Sequence, residues 1–243
     1  MKPPVLITGA TRGIGRSCAL SLARAGFDLV LWARNRPELE RVAEECEMHR
    51  ARVVVAQVDV RDSESVRGAG ARSLAEFEAL RGLVVNAGIG EWRRFMEVEP
   101  REWNDIIGTN LTGAYHCLQV AVPLLRQAAQ IVAIGSDSSH FPFADRAAYC
   151  ASKWGLRGLL ESLRLELRPR GVRLTHLMVG RVDTYFRHRQ PGQRPNALQA
   201  DDVAALVATV FALPAHCELR ELEAAALNGS FGPYAEGSMV KEG

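Results

Sequence analysis

Lysine is almost missing from this chain of 243 residues. It occurs only at Lys2, Lys153 and Lys241, so arginine supplies 27 of the 30 basic side chains. A dominant charge is missing too. The 30 basic residues face 28 acidic ones, for a net +2. That balance leaves no electrostatic footprint for a nucleic acid or an anionic membrane surface. The five cysteines, Cys18, Cys46, Cys117, Cys150 and Cys217, form no CxxC pair. An odd, scattered set is not a disulfide framework and reads as buried small hydrophobes in a reducing compartment. No run approaches the ~20 apolar residues that a membrane span needs. Met1-Lys2-Pro3-Pro4 leads straight into an apolar strand, without the apolar stretch or cleavage site of a secretory signal. The expectation is a soluble, cytoplasmic protein with no nucleic-acid and no membrane partner. With 47% hydrophobic and 24% charged residues, disordered, collagen-like and coiled-coil classes are excluded. The length suffices to bury a core without disulfides or metals.

What is present is alternation. Short apolar runs at Val5–Thr8, Leu29–Ala33, Arg52–Val58, Leu83–Asn86, Ile131–Gly135 and Arg173–Val179 read as strands, with a last one near Leu219–Ala224. They are continuous rather than alternating, as in a sheet covered on both faces. Helices are expected at Gly15–Ala25, Glu38–His49, Ser63–Leu80, Arg101–Ala128, Ala148–Leu167 and Asp201–Leu213. Strand–helix alternation throughout predicts an α/β fold, a Rossmann-like doubly wound parallel sheet in three α/β/α layers. One domain over residues 1–228 and a glycine-containing tail at 229–243 are expected. Ligands of such sheets bind beyond the carboxyl ends of the strands.

The first strand runs into Thr8-Gly9-Ala10-Thr11-Arg12-Gly13-Ile14-Gly15. Glycines between a strand and a helix allow a tight turn and let backbone amides approach a pyrophosphate. The Gly-x-x-x-Gly-x-Gly spacing differs from the common dinucleotide fingerprint, and alone it marks only a turn. The second strand ends Leu31-Trp32-Ala33-Arg34. Ala33 stands where a carboxylate would hold the 2′-hydroxyl of NAD. Arg34, with Arg12 as a second charge, suits the 2′-phosphate of NADP(H) instead. Asp59 and Val60, after the third strand, are candidate adenine contacts. Asn86-Ala87-Gly88, after the fourth, is a candidate ribose contact.

Tyr149 and Lys153 are four apart on one helix, so the phenol and the ammonium share a face. A phenol ionises near pH 10, and a neighbouring ammonium is expected to draw that value down toward acid–base use. Ser136, thirteen residues earlier, ends the fifth strand, where its hydroxyl can hold a carbonyl oxygen. Asn110 lies on an otherwise apolar helix and needs a partner. A Tyr and a Lys at this spacing also occur by chance. A lone interior lysine among so many arginines calls for a chemical reason, since arginine cannot lose its proton.

TGATRGIG, the strand-four Asn-Ala-Gly, Asn110, Ser136 and Tyr149-x-x-x-Lys153, in this order, resemble the short-chain dehydrogenase/reductase family from Val5 to about Ala226. The resemblance implies an NADP(H)-binding Rossmann-like domain with a catalytic set of Asn110, Ser136, Tyr149 and Lys153. Tyr149 would be the general acid or base, and Lys153 would hold the nicotinamide ribose and lower the Tyr149 pKa. Ser136 would orient the carbonyl, and Asn110 would support a water in a proton relay. The implied coenzyme contacts are Gly9, Thr11, Arg12, Gly13, Ile14, Gly15, Arg34, Asp59, Val60, Asn86, Ala87, Gly88, Tyr149, Lys153, Gly180, Val182 and Thr184. Two positions depart from the family pattern: Val85 replaces an asparagine, and Val179 replaces a proline before Gly180.

The segment Tyr185–Ala200 corresponds to the family's substrate cover and carries Arg187, His188, Arg189 and Arg194, broken by Pro191-Gly192 and Pro195. Trp92, Phe95, His140, Phe141 and Phe143 are candidate pocket walls. These residues suggest a small polar or anionic carbonyl or alcohol substrate, with a solvated loop as the plainer alternative. The resemblance also implies a homodimer or homotetramer through Arg101–Ala128 and Ala148–Leu167, the latter opened for close approach by Gly155 and Gly158. The leading expectation is an NADPH-dependent carbonyl reductase. A 3-oxoacyl-carrier-protein reductase and a coenzyme-binding regulator without turnover are the alternatives.

Overall fold

A computed structural model of the protein describes residues 2–194 and 196–227. Pro195 and the expected tail at 229–243 lie outside the described residues. In chain order the strands are β1 (Val5–Thr8), β2 (Leu29–Ala33), β3 (Val53–Gln57), β4 (Leu80–Val85), β5 (Leu125–Ile134), β6 (Arg173–Val179), β7 (Val182–Asp183), β8 (Leu198–Gln199) and β9 (Glu221–Ala224). The helices are α1 (Gly13–Arg24), α2 (Arg36–Glu47), α3 (Ser63–Ser73), α4 (Pro100–Ile107), α5 (Gly113–Ala121), α6 (Ala147–Leu167) and α7 (Ala200–Ala212).

Seven strands form one parallel sheet in the order β3-β2-β1-β4-β5-β6-β9. The chain winds outward from β1 to β3, returns to β4 on the other side of β1, and winds outward again. The carboxyl ends of β1 and β4 therefore flank the topological switch point, where such sheets form a crevice. Successive strand residues face opposite layers. Leu6, Val30, Trp32 and Leu83 pack under α3, α5 and α6. Val5, Ile7, Leu29 and Leu31 pack under α1, α2 and α7. Burial on both faces explains why these strands read as unbroken apolar runs.

Three expectations change. The helix expected over 63–80 stops at Ser73, whose hydroxyl accepts from the Trp32 indole at 2.9 Å and donates to the Ala69 carbonyl at 2.8 Å. β4 then starts at Leu80, earlier than expected, because Gly82 pairs with both β1 and β5. The single helix expected over 101–128 is divided. α4 passes into a π-helical turn at Gly108–Thr112, and α5 ends before Pro123, which cannot continue a helix. Residues 125–130, polar enough to read as helix, instead join β5. Finally, Gly155 does not open α6 to another subunit. A side chain there would meet Leu111 of the same chain at 2.8 Å, whereas Gly158 faces open space.

Candidate active site

The loop after β1 is shaped by its glycines. Gly9 and Gly13 have φ of +67° and +53°, the left-handed region that favours glycine. Gly15 is held by contact rather than conformation. A Cβ there would lie 2.2 Å from the Gly9 carbonyl oxygen and 2.6 Å from the Asn86 amide nitrogen. The Asn86 amide donates to the carbonyls of Thr8 and Gly9 at 2.9 and 3.1 Å, tying the end of β4 to the glycine loop. The Thr8 hydroxyl completes the tie by accepting from the amides of Asn86 and Ala87 at 3.0 and 3.1 Å. α1 begins at Gly13, so its first amides open at the carboxyl edge of the sheet. Thr184, following β7, sits over Gly13 and is buried, like Val182. Gly180 fixes the approach to β7 by donating to the Ala224 carbonyl at 2.8 Å.

Beyond β2 and β3 lies a cleft of about 680 Å³, lined by Arg34, Arg36, Gln57, Asp59 and Ser65 among others. Arg34 is exposed on its rim. Asp59 is engaged by Arg61, whose Nη2 donates at 2.8 Å, and this contact holds the carboxyl below its usual pKa. Val60 is turned inward against Gly113. The Arg12 guanidinium lies 5.4 Å above the Tyr185 ring.

The catalytic candidates converge on the far side of the crevice. Ser136 follows β5 and is buried; its hydroxyl donates to Asp137 at 2.7 Å and accepts from the Ser138 amide at 3.2 Å. Ser136 acts on the Tyr149 phenol by favouring its ionised form. Lys153 is buried, with Nζ 5.8 Å from the Tyr149 ring centre and donating to the Ile134 carbonyl at 3.0 Å. Asn110 stands in the π-helical turn, a local widening that recurs at functional sites. Its amide grips Ile89 twice, accepting from the amide and donating to the carbonyl, both at 2.8 Å, and donates to Ser152 at 3.0 Å. The Ser152 hydroxyl donates to the Tyr149 carbonyl at 2.7 Å. Asn110 thus braces the loop after β4 against the helix that carries Tyr149 and Lys153.

One electrostatic expectation is reversed. Instead of falling, the Tyr149 pKa is pushed up to about 12 by burial, which outweighs the opposing effects of Ser136 and Arg146. Burial also pushes the Lys153 ammonium down to about 8. Spacing revealed the neighbouring ammonium but not the burial of both groups.

Aromatic rings cover the phenol. Trp92 meets Tyr149 edge-on at 4.9 Å, and Phe186 does so at 5.9 Å. Gly90 makes room for this cover, since a Cβ there would lie 2.7 Å from Phe186 and 3.0 Å from Tyr149. Phe143 contributes through Arg146, whose guanidinium lies 4.3 Å above its ring. Phe95 is 72% exposed, and His140 stacks on Phe141 at 5.0 Å. Thr8, Gly90, Asp137, Arg146, Ser152 and Phe186 were not singled out from sequence. Thr8 and Ser152 carried a usable signal, being hydroxyls inside the two motifs.

Crevice, glycine loop and Ser-Tyr-Lys cluster together define a dinucleotide-dependent oxidoreductase of the doubly wound class. The sequence model of the short chain dehydrogenase family matches residues 4–194, and the chain belongs to that family. Sulfoacetaldehyde reductase 2 of Chromohalobacter salexigens is 32% identical over 249 residues, spanning 97% of this chain and 98% of the relative. The 3-oxoacyl-acyl-carrier-protein reductase FabG of Staphylococcus aureus is 35% identical over 183 residues, 74% of each chain. Among solved structures, an alcohol dehydrogenase from the archaeon Thermococcus sibiricus, complexed with 5-hydroxy-NADP, superposes with a TM-score of 0.89 at 31% identity, covering 93% of this chain and 97% of that one.

Proposed function

We propose that this chain is an NADPH-dependent reductase that converts a carbonyl compound to its alcohol. The observation that carries the reading is the buried cluster of Ser136, Tyr149 and Lys153 at the rim of the crevice. The residues present fit a dinucleotide, because the Gly9–Gly15 cradle is closed to any side chain at Gly15 and no acid stands at Ala33. The NADP derivative in the Thermococcus sibiricus enzyme supports the same coenzyme. When bound, the coenzyme supplies the hydride. The amides of Thr11 to Gly15 would receive the pyrophosphate, and Arg34 would pair with the 2′-phosphate. Asp59 and Val60 would hold the adenine, Asn86, Ala87 and Gly88 a ribose, and Gly180, Val182 and Thr184 the nicotinamide.

The chain's own residues then handle the proton. The Ser136 hydroxyl and the Tyr149 phenol bind the carbonyl oxygen from one side. With its pKa near 12, the phenol stays protonated at neutral pH and acts as the acid that protonates the new alkoxide. Lys153 lies behind the phenol, where its charge stabilises the phenolate left by that transfer. The Trp92 and Phe186 rings exclude water from the transfer. A second reading, 3-oxoacyl-carrier-protein reduction, is favoured by the similarity to FabG.

We also propose a homodimer or homotetramer, supported by the half-exposed Trp154 and Tyr115 and the exposed Leu165 on α5 and α6. A reducing, cytoplasmic location is supported by five free cysteines, three of them buried. The test of function follows NADPH oxidation with aldehydes, ketones and acyl-carrier substrates. The wild type is expected to reduce at least one class, and Tyr149→Phe to lose about 10²–10⁴-fold in kcat while still binding NADPH. A Tyr149→Phe variant with full turnover overturns the assignment.

A further inference from the structure

β6 places His176 beside the end of β5, where it pairs in register with Ala133. The ring is fully enclosed, and so is Ser139. A Cβ at Gly135 would lie 2.2 Å from the His176 Nε2 and 2.8 Å from its Cδ2, so the imidazole fills the place a side chain would take next to Ser136. Ile134, one residue before Gly135, supplies the carbonyl that Lys153 donates to at 3.0 Å. Histidine, lysine and the candidate catalytic serine therefore meet on one short stretch of backbone.

The turn that follows, Asp137–Ser139, is tied by two serine hydroxyls. The Ser136 hydroxyl accepts from the Ser138 amide at 3.2 Å, and the Ser139 hydroxyl accepts from the Ser136 amide at 3.2 Å. The Ser139 Oγ also lies 3.4 Å from the His176 Nε2. The Ser136 amide uses a lone pair of that hydroxyl, not its proton, so the proton can point at an unprotonated Nε2. The other ring nitrogen, Nδ1, is buried, has no hydrogen-bond partner among the described residues and faces Glu221 at 4.0 Å. A ring proton is better placed against that carboxylate than against Ser139. Burial, and after it the Lys153 charge, holds the imidazole neutral by pushing its pKa down to about 4, against the pull of Glu221. Arg157 also opposes protonation, and Glu161 favours it.

We propose that His176 is a positioning residue for the reduction: its Nε2 accepts from the Ser139 hydroxyl, and Ser139 in turn fixes the Ser136 amide so that the Ser136 hydroxyl meets the carbonyl oxygen beside Tyr149. The proposal rests on the reading of this chain as a carbonyl reductase. His176 touches neither substrate nor coenzyme in this arrangement. Its loss acts on the transition state through Ser136 and leaves coenzyme affinity in place.

The test compares wild type, Ser139→Ala, His176→Leu, His176→Gln and the double variant Ser139→Ala/His176→Leu, each with NADPH and the carbonyl class that wild type reduces, near neutral pH. Ser139→Ala and His176→Leu are each expected to lose at least about tenfold in kcat, with the Kd for NADPH within about twofold of wild type. The double variant is expected to lose no more than the worse single variant, since both changes remove one tie. Glutamine offers an acceptor near the Nε2 position, so His176→Gln is expected to recover most of the rate that His176→Leu loses. A ring that only fills space is replaced better by leucine than by glutamine, so the order of these two variants separates the roles. Full kcat in Ser139→Ala, a His176→Leu faster than His176→Gln, or single losses that multiply in the double variant overturns the proposal. If His176→Leu does not fold, the Ser139→Ala result decides. Hydrogen exchange of the Ser136 amide, followed by NMR without substrate, is read in parallel. Faster exchange in Ser139→Ala and His176→Leu but not in His176→Gln supports the tie even if wild type reduces nothing; in that case the reductase reading fails on its own. Exchange that His176→Leu leaves unchanged rejects the tie.

Discussion

Replacing Lys153 with methionine is expected to make the protein more stable and inactive. The ammonium is buried and, among the described residues, donates to a single acceptor, the Ile134 carbonyl. Burial lowers its pKa from 10.5 to about 8. Between those values the unfolded chain binds more protons than the folded one, so stability rises with pH across that window. Below pH 8 both states hold the charge, and the folded state bears the whole desolvation penalty. At about 1.4 kcal/mol per pH unit, that penalty is about 3 kcal/mol. Methionine keeps an unbranched stem and removes the charge. It leaves the Ile134 carbonyl without its donor, which returns about 1 kcal/mol. The net gain at pH 7 is about 2 kcal/mol, or a Tm rise of about 4–8 °C for a chain of this size. Near pH 10.5 the wild-type amine is neutral in the folded state, and the gain vanishes. Thermal denaturation of both proteins at pH 7 and pH 10, followed by circular dichroism, reads this difference. A variant less stable than wild type at pH 7, or equally advantaged at both pH values, refutes the reasoning.

Other outcomes follow from the same contacts. Arg34→Gln is expected to raise the Kd for NADPH by about 10–150-fold, the loss of a charge-assisted phosphate contact. The NADH Kd stays within about twofold in coenzyme-fluorescence titrations, and equal losses for both coenzymes would disprove Arg34 as the 2′-phosphate ligand. Asn110→Ala strips partners from the Ile89 amide, the Ile89 carbonyl and Ser152. It is expected to cost about 3 kcal/mol and lower Tm by about 6–12 °C, and a Tm within about 2 °C of wild type would show that the brace is dispensable. His176 is fully enclosed on β6, and burial lowers its pKa from 6.5 to about 4. Its neutral form is the one the fold accepts, so stability falls by about 3 kcal/mol as pH drops from 6.5 to 4. His176→Leu flattens that slope in urea titrations at pH 4.5 and 7; an unchanged slope assigns the acid sensitivity elsewhere.

The order of elements was legible where local and tertiary demands agree. β1 and β2 are apolar on both faces because helices cover both faces, and their limits fall where the apolar runs end. The glycine loop and the Tyr149–Lys153 pair were legible because each is a local spacing. The divided helix at 100–121 was not, because the π-helical turn is accompanied by Asn110 contacts to Ile89 and Ser152, twenty-one and forty-two residues away in sequence. Residues 125–130 become strand only by pairing with β4 and β6. The two-residue pair β7 and β8, which brackets the arginine-bearing segment, is too short to leave a pattern.

The lysine scarcity now has a physical reading. Several arginines act as forks. Arg157 grips both oxygens of Glu221 at 2.7 and 3.1 Å, and Arg164 ties Glu161 and Glu218 to the ends of β6 and β9. A compact ammonium serves those places poorly, since it lacks the planar, many-donor geometry. Lys153 occupies the opposite kind of place, with one acceptor among the described residues, a phenol close by and enclosure that moves its pKa to about 8. A guanidinium there would keep its charge across that range and press more volume against Tyr149. The one interior lysine therefore sits where a compact charge is wanted close to a phenol, and its burial there is the source of its destabilising effect.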